Sequence, residues 1–215
     1  TDLCVPLILK YDIAELPSRA TNAQVFDQIA KDIAEAKKLL TSRTNKPMST
    51  VLTVDAAYAL EAKVALYKKD WTTALAASEK LISSGTYPLV NPTPDSFKDM
   101  WRADKSSEDI VQLYIKKTDE EPRTISYYGY NSSLKANNPD WFPSQTILDL
   151  YYDNDLRKDV YFEKAELVKI QSFEIKDLYV ISKYKGNPAY DENVPRYIIA
   201  PKLFRMGEIY MIAAE

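Results

Sequence analysis

The stretch Val54-Asp55-Ala56-Ala57-Tyr58-Ala59-Leu60-Glu61-Ala62-Lys63-Val64-Ala65-Leu66-Tyr67-Lys68-Lys69-Asp70-Trp71-Thr72-Thr73-Ala74-Leu75-Ala76-Ala77-Ser78-Glu79-Lys80-Leu81-Ile82-Ser83-Ser84-Gly85 decides the fold. Residues 54–69 are rich in Ala, Leu and Lys, all strong helix formers. Thr53 is the expected N-cap, and Asp55 falls in the first turn, where the helix dipole favours an acid. Asp70 starts a second helix running to about Ser84, and Gly85 stands where a helix end needs a left-handed residue. The turn between the helices is very short, so the two must pack side by side. Ala62 and Ala74 are small where the helices approach, and Tyr58 takes a large-aromatic position. From Asp55 to Pro88 the hairpin has the length of one tetratricopeptide repeat, about 34 residues. One repeat buries too little to stand alone, so neighbours are needed.

Working outward, Thr21 and Gln24 form a capping box ahead of Phe26, Ile29, Ile33, Ala36 and Leu40, which share one helical face. This predicts a helix over 22–41. The last residues, Phe204 to Glu215, read as the start of another helix that stops uncapped, so the sequence reads as a fragment. Between lies a less regular region. Ser96 to Trp101 is a short helix, Ile110 to Ile115 a strand, and Ser144 caps a short helix to about Tyr152. Segments 159–163 and 178–184 are β-like. Residues 116–143 carry Pro122, Gly129, Pro139 and Pro143 without helical period, a long loop of the kind that carries function.

The 215 residues include no histidine, one cysteine and four glycines. No histidine means no His-based zinc site and no Ser-His or Cys-His catalytic unit within this chain. No glycine-rich phosphate loop is present. Lys+Arg is 28 and Asp+Glu 31, a net charge of −3, which argues against a nucleic-acid partner. No apolar run reaches the ~20 residues of a membrane span. Cys4 reads as a small buried residue. No cofactor is expected, and only an oxygen-ligand site for calcium stays open.

Five stretches, in order, resemble the SusD/RagB family of outer-membrane nutrient-binding lipoproteins. They are Val5-Pro6-Leu7-Ile8, Phe26 to Ala36, Ala56 to Tyr67 with Asp70-Trp71 and Ala74, Ser84 to Leu89, and Asp155-Leu156-Arg157 followed by Arg205 to Glu215. The resemblance implies a mainly α fold of tetratricopeptide-like helical hairpins, with long irregular loops and a few short strands. It implies a protein roughly twice this length. Residues 1–215 would then be a single SusD-like domain lacking both ends. Its parts would be a repeat region at 22–88, a loop-rich insert at 89–200 and a further repeat helix starting at 201–215. It also implies a non-catalytic protein at the bacterial cell surface. Such a protein binds an oligosaccharide, caps a SusC-like TonB-dependent transporter, and meets the outer membrane only through an N-terminal lipid anchor outside this chain.

The family has no fixed sugar-binding motif, so the site is read from chemistry. A sugar ring needs a flat aromatic for its C–H face and amides or carboxylates for its hydroxyl rim. The long loop holds both: Trp141 with Tyr127, Tyr128 and Tyr130, and Asn131, Asn138 and Asp140. The same aromatics could instead fasten the loop to the helices. Trp71 and Trp101 read as packing residues. Acid pairs such as Asp119-Glu120-Glu121, Asp153 with Asp155, and Asp191-Glu192 read as solvated charge or turn contacts. Two other functions stay open: a tetratricopeptide-type adaptor holding a peptide in a helical groove, and a hydrolase using loop carboxylates.

Overall fold

The computed structural model describes residues 2–14, 16–115, 128–131, 133–190 and 198–215. The chain enters as strand β1 (Leu3–Pro6), paired antiparallel with β2 (Arg19–Thr21). Cys4 sits in β1 only half-buried, not in a core, and its carbonyl accepts from Arg19 Nε at 2.6 Å. Helix α1 (Asn22–Leu39) starts on the expected capping box. Gln24 N donates to Thr21 Oγ1 at 3.2 Å and Thr21 N to Gln24 Oε1 at 2.8 Å.

Helices α2 (Val54–Lys68) and α3 (Trp71–Ser84) form the hairpin. Its turn places Lys69 at φ 58°, a left-handed position held without glycine. The Asp70 carboxylate caps α3 by accepting from Thr73 N at 3.2 Å. Thr53 has extended backbone but does not cap α2 through its side chain. Asn45 Oδ1 instead accepts from Asp55 N at 3.5 Å. Asp55 is buried and accepts from the Tyr87 hydroxyl at 3.1 Å. Gly85 ends α3 at φ +63°.

The chain continues through α4 (Pro94–Arg102), β3 (Asp109–Gln112), β4 (Tyr130–Asn131), β5 (Ala136–Asn137) and α5 (Gln145–Asp149), which Ser144 caps. Then come α6 (Leu156–Tyr161), β6 (Phe162–Ala165), β7 (Val168–Ile170), β8 (Phe173–Ile175) and β9 (Leu178–Ile181). Last are β10 (Lys202–Arg205) and α7 (Met206–Ala214). The expected strand over 159–163 is therefore helix as far as Tyr161. Asp155 accepts from Arg157 N at 2.9 Å and caps it, and Val160 is drawn into a core.

Alanines make the main core possible. Ala59, Ala62, Ala65, Ala74 and Ala77 are buried where α2 and α3 meet, with Leu81, Tyr87, Ile110, Met206, Ile209 and Ile212 completing the cluster. Small side chains let the two backbones approach closely. α7 packs on the hairpin, and β10 pairs antiparallel with β3 across its base. A second cluster joins Tyr128, Ala165, Val168 and Val180, and a third joins Met100, Trp101 and Val160. Trp101 is thus a packing residue as expected. Trp71 is not: at the outer edge of the first turn of α3 it is 48% exposed. Among the described residues, no helix is long and apolar enough to cross a membrane.

Candidate functional site

The segment 128–142 is built around one close approach. Gly129 has φ +55°, and a Cβ there would lie 2.5 Å from the Asn138 carbonyl oxygen. The chain crosses itself at this point, and Asn138 N donates to Gly129 O at 2.7 Å. Just beyond, β4 pairs with β5, Tyr130 opposite Asn137. The base of the segment is fixed by polar contacts to the sheet below. The Tyr128 hydroxyl donates to Glu163 Oε1 at 2.6 Å, and Asn137 Nδ2 donates to Tyr128 O at 2.7 Å. Glu163 is in turn held by Lys185 at 3.0 Å and Arg102 at 3.5 Å. Phe142 packs against the second cluster. Between these fixings Trp141 stands 67% exposed.

The predicted residues divide accordingly. Tyr127 lies outside the described residues. Tyr128 faces inward: it is 5% exposed, with the Lys185 ammonium 4.8 Å from its ring centre, and it borders the same cavity as Tyr130. Tyr130 is half-buried against the same cluster and borders a cavity of about 420 Å³ with Lys135, Asn137 and Glu166. Asn131 is exposed and its Oδ1 accepts from Leu134 N at 3.1 Å. Asn138, Asp140 and Trp141 are exposed and consecutive but for buried Pro139. This group offers an exposed aromatic ring, an amide and a carboxylate within four positions of chain. The acid pair Asp153 and Asp155 is engaged elsewhere. Asp155 forms a 2.6 Å ion pair with Arg157, whose side chain holds its carboxyl below the usual range, and Asp153 pairs with Lys158 at 3.3 Å.

Sequence reasoning missed a second place. A cavity of about 660 Å³ opens between α2, α7, β10 and the segment after β9, lined by Trp101, Lys183, Tyr184, Lys202 and Arg205 among others. Lys183 Nζ lies 3.9 Å from the Trp101 ring centre and 4.3 Å from that of Tyr161. The Arg205 guanidinium lies 4.6 Å from the Trp101 ring and donates to Glu108 Oε1 at 2.8 Å. Burial and the neighbouring Arg205 push the Lys183 amine down to about 8. Residues 101, 183 and 205 carry no shared spacing, so only the fold brings them together.

Residues 4–66 match the family model SusD-like_3, described as starch-binding and associating with the outer membrane. No curated protein matches the sequence. The whole fold has solved counterparts. A SusD superfamily protein from Bacteroides vulgatus superposes with a TM-score of 0.73 at 24% identity, covering 99% of this chain and 46% of that one. Another from Bacteroides thetaiotaomicron gives 0.70 at 20% identity, with 99% and 46% covered. The chain has the fold of these SusD superfamily structures. Surface glycan-binding protein A from Bacteroides uniformis also matches, with a TM-score of 0.66 at 19% identity, covering 98% of this chain and 48% of that one. The chain thus spans about half the length of these solved structures. The family-model match ends within α2 and includes neither Trp141 nor Lys183, whereas the structural likeness covers nearly the whole chain.

Proposed function

We propose that this chain forms part of a non-catalytic cell-surface protein that captures oligosaccharides at the outer membrane and passes them to a SusC-like TonB-dependent transporter. The observation that carries the reading is Trp141, exposed on a segment whose two ends are fastened by Tyr128 and Phe142. A fixed aromatic face loses little freedom on binding, which favours affinity. Asn138 and Asp140, exposed at neighbouring positions of the chain, supply hydroxyl partners. The description of the matching family and the name of the Bacteroides uniformis relative both support a glycan as ligand. The engagement of Asp153 and Asp155 in ion pairs supports holding rather than hydrolysis.

In this reading α2 and α3 are one tetratricopeptide-like pair within a repeat region over 22–88, and α7 opens a further pair. The loop-rich insert over 89–200 then carries the ligand, with the helices as its frame. A glycan array on the full-length protein identifies the oligosaccharide, and calorimetry tests the site. Trp141→Ala is expected to lower affinity at least tenfold, about 1.4 kcal/mol, with an unchanged melting temperature. Unchanged affinity would overturn the assignment.

A further inference from the structure

We propose that the cavity beside Trp101 is an anionic-sugar subsite, taking the carboxylate of a uronic-acid residue against Lys183. Among the described residues, the charges around the cavity are matched, with one exception. Lys63 pairs with Glu208 at 2.7 Å, Lys202 with Asp104 at 3.1 Å, and Arg205 with Glu108 at 2.8 Å. Lys183 has aromatic rings around its ammonium and, among the described residues, no acidic partner. It is half-buried, and an ammonium taken from water without a counter-ion is unfavourable. Its lowered proton affinity records that penalty, yet at about 8 it remains largely charged at neutral pH. A ligand carboxylate supplies the missing countercharge. A neutral sugar does not, so the group discriminates as well as attracts.

The rest of the cavity suits a sugar bearing that acid. Its volume falls within the ~300–1,000 Å³ of small-ligand sites. Tyr184 is 37% exposed on the wall and offers a flat face, while the Glu208 carboxylate at the margin accepts hydroxyls. The sugar half of this statement rests on the glycan-capture reading; the anion half does not. Aromatic rings can also hold an ammonium for packing alone, and the test separates the two roles.

The full-length protein is titrated with trisaccharides of galacturonate, glucuronate and mannuronate, each beside its carboxyl-reduced neutral counterpart. At least one acidic trimer is expected to bind tenfold or more tighter than its neutral partner. Lys183→Met should abolish that difference, and Lys183→Arg should keep most of it. Equal binding of every acidic and neutral pair, no binding by any uronate, or a preference that survives Lys183→Met would each overturn the proposal. Free glucuronate against acetate reads the two halves apart: equal affinity for both would sink the sugar half. Trp141→Ala with a neutral trimer reports on the other site, so loss of the capture reading leaves the Lys183 result interpretable.

Discussion

Gly129 does at one residue what no other side chain could do there. Its positive φ is strained for any L-residue, and a Cβ would collide with the Asn138 carbonyl rather than with a movable side chain. Gly129→Ala should therefore force the crossing of 128–142 apart. We expect a loss of about 1–3 kcal/mol in urea melts. Glycan affinity should fall with it, although no residue facing the sugar has changed. A variant with wild-type midpoint and affinity would show that the segment is not held at this crossing. The tryptophans make the same point about position. Trp101 is buried, Trp71 half-exposed and Trp141 mostly exposed, yet nothing in their immediate neighbours marks Trp71 as the looser of the first two.

At the scale of elements, the α2–α3 hairpin depends on alanines that bring two backbones together. Ala74 is 2% exposed, so Ala74→Leu must push the helices apart or twist a side chain off its rotamer. The expected loss is about 1–3 kcal/mol, read as a lower denaturant midpoint; an unchanged midpoint would mean slack at that contact. Elements whose signals are local were legible in the sequence. The capping box at Thr21 and Gln24, the Asp70 cap and the Gly85 stop each set a boundary within a few residues. Elements set by tertiary packing were not. Val160, Tyr161 and Phe162 favour strand, but Asp155 caps a helical turn that buries Val160 against Met100 and Trp101. The β7–β8 hairpin escaped notice because its turn uses Gln171 at φ 55°, without glycine or proline. For the candidate site, residue types pointed to the 128–142 segment and its exposed Trp141. They could not show that Tyr128 faces inward, nor that Lys183 meets Trp101 across 82 positions (183 − 101) of chain.

Across the whole molecule, the pairing of β3 with β10 holds buried charge. Asp109 on β3 is fully buried, with the Lys202 ammonium of β10 at 3.9 Å. Burial pushes its carboxyl up to about 6, against the pull of Lys202. Its acidity is thus weaker folded than unfolded, and the folded state holds the extra proton between those values. The contribution to stability is greatest in acid, falls as pH rises from about 4 to about 6, and is level above, a span of about 2–3 kcal/mol. Asp109→Asn should remove that slope. Urea melts at pH 4 and pH 7 should show the variant gaining about 2 kcal/mol on the wild type between them, and a difference constant with pH would rule the account out. Beside this pair, Leu113 N donates to Pro201 O at 2.9 Å. The strands that lead out to residues 128–190 and back, β3 and β10, thus lie side by side at one edge of the helical frame, a common gateway for the excursion. Closing such a loop becomes harder only slowly with length, by about 0.6 kcal/mol per doubling. An excursion of other length and content could hang from the same gateway, still meeting Trp101 and Arg205 of the frame. New ligands would then be acquired by exchanging a cassette, provided the new one still fills the place of Val160 against Met100 and Trp101.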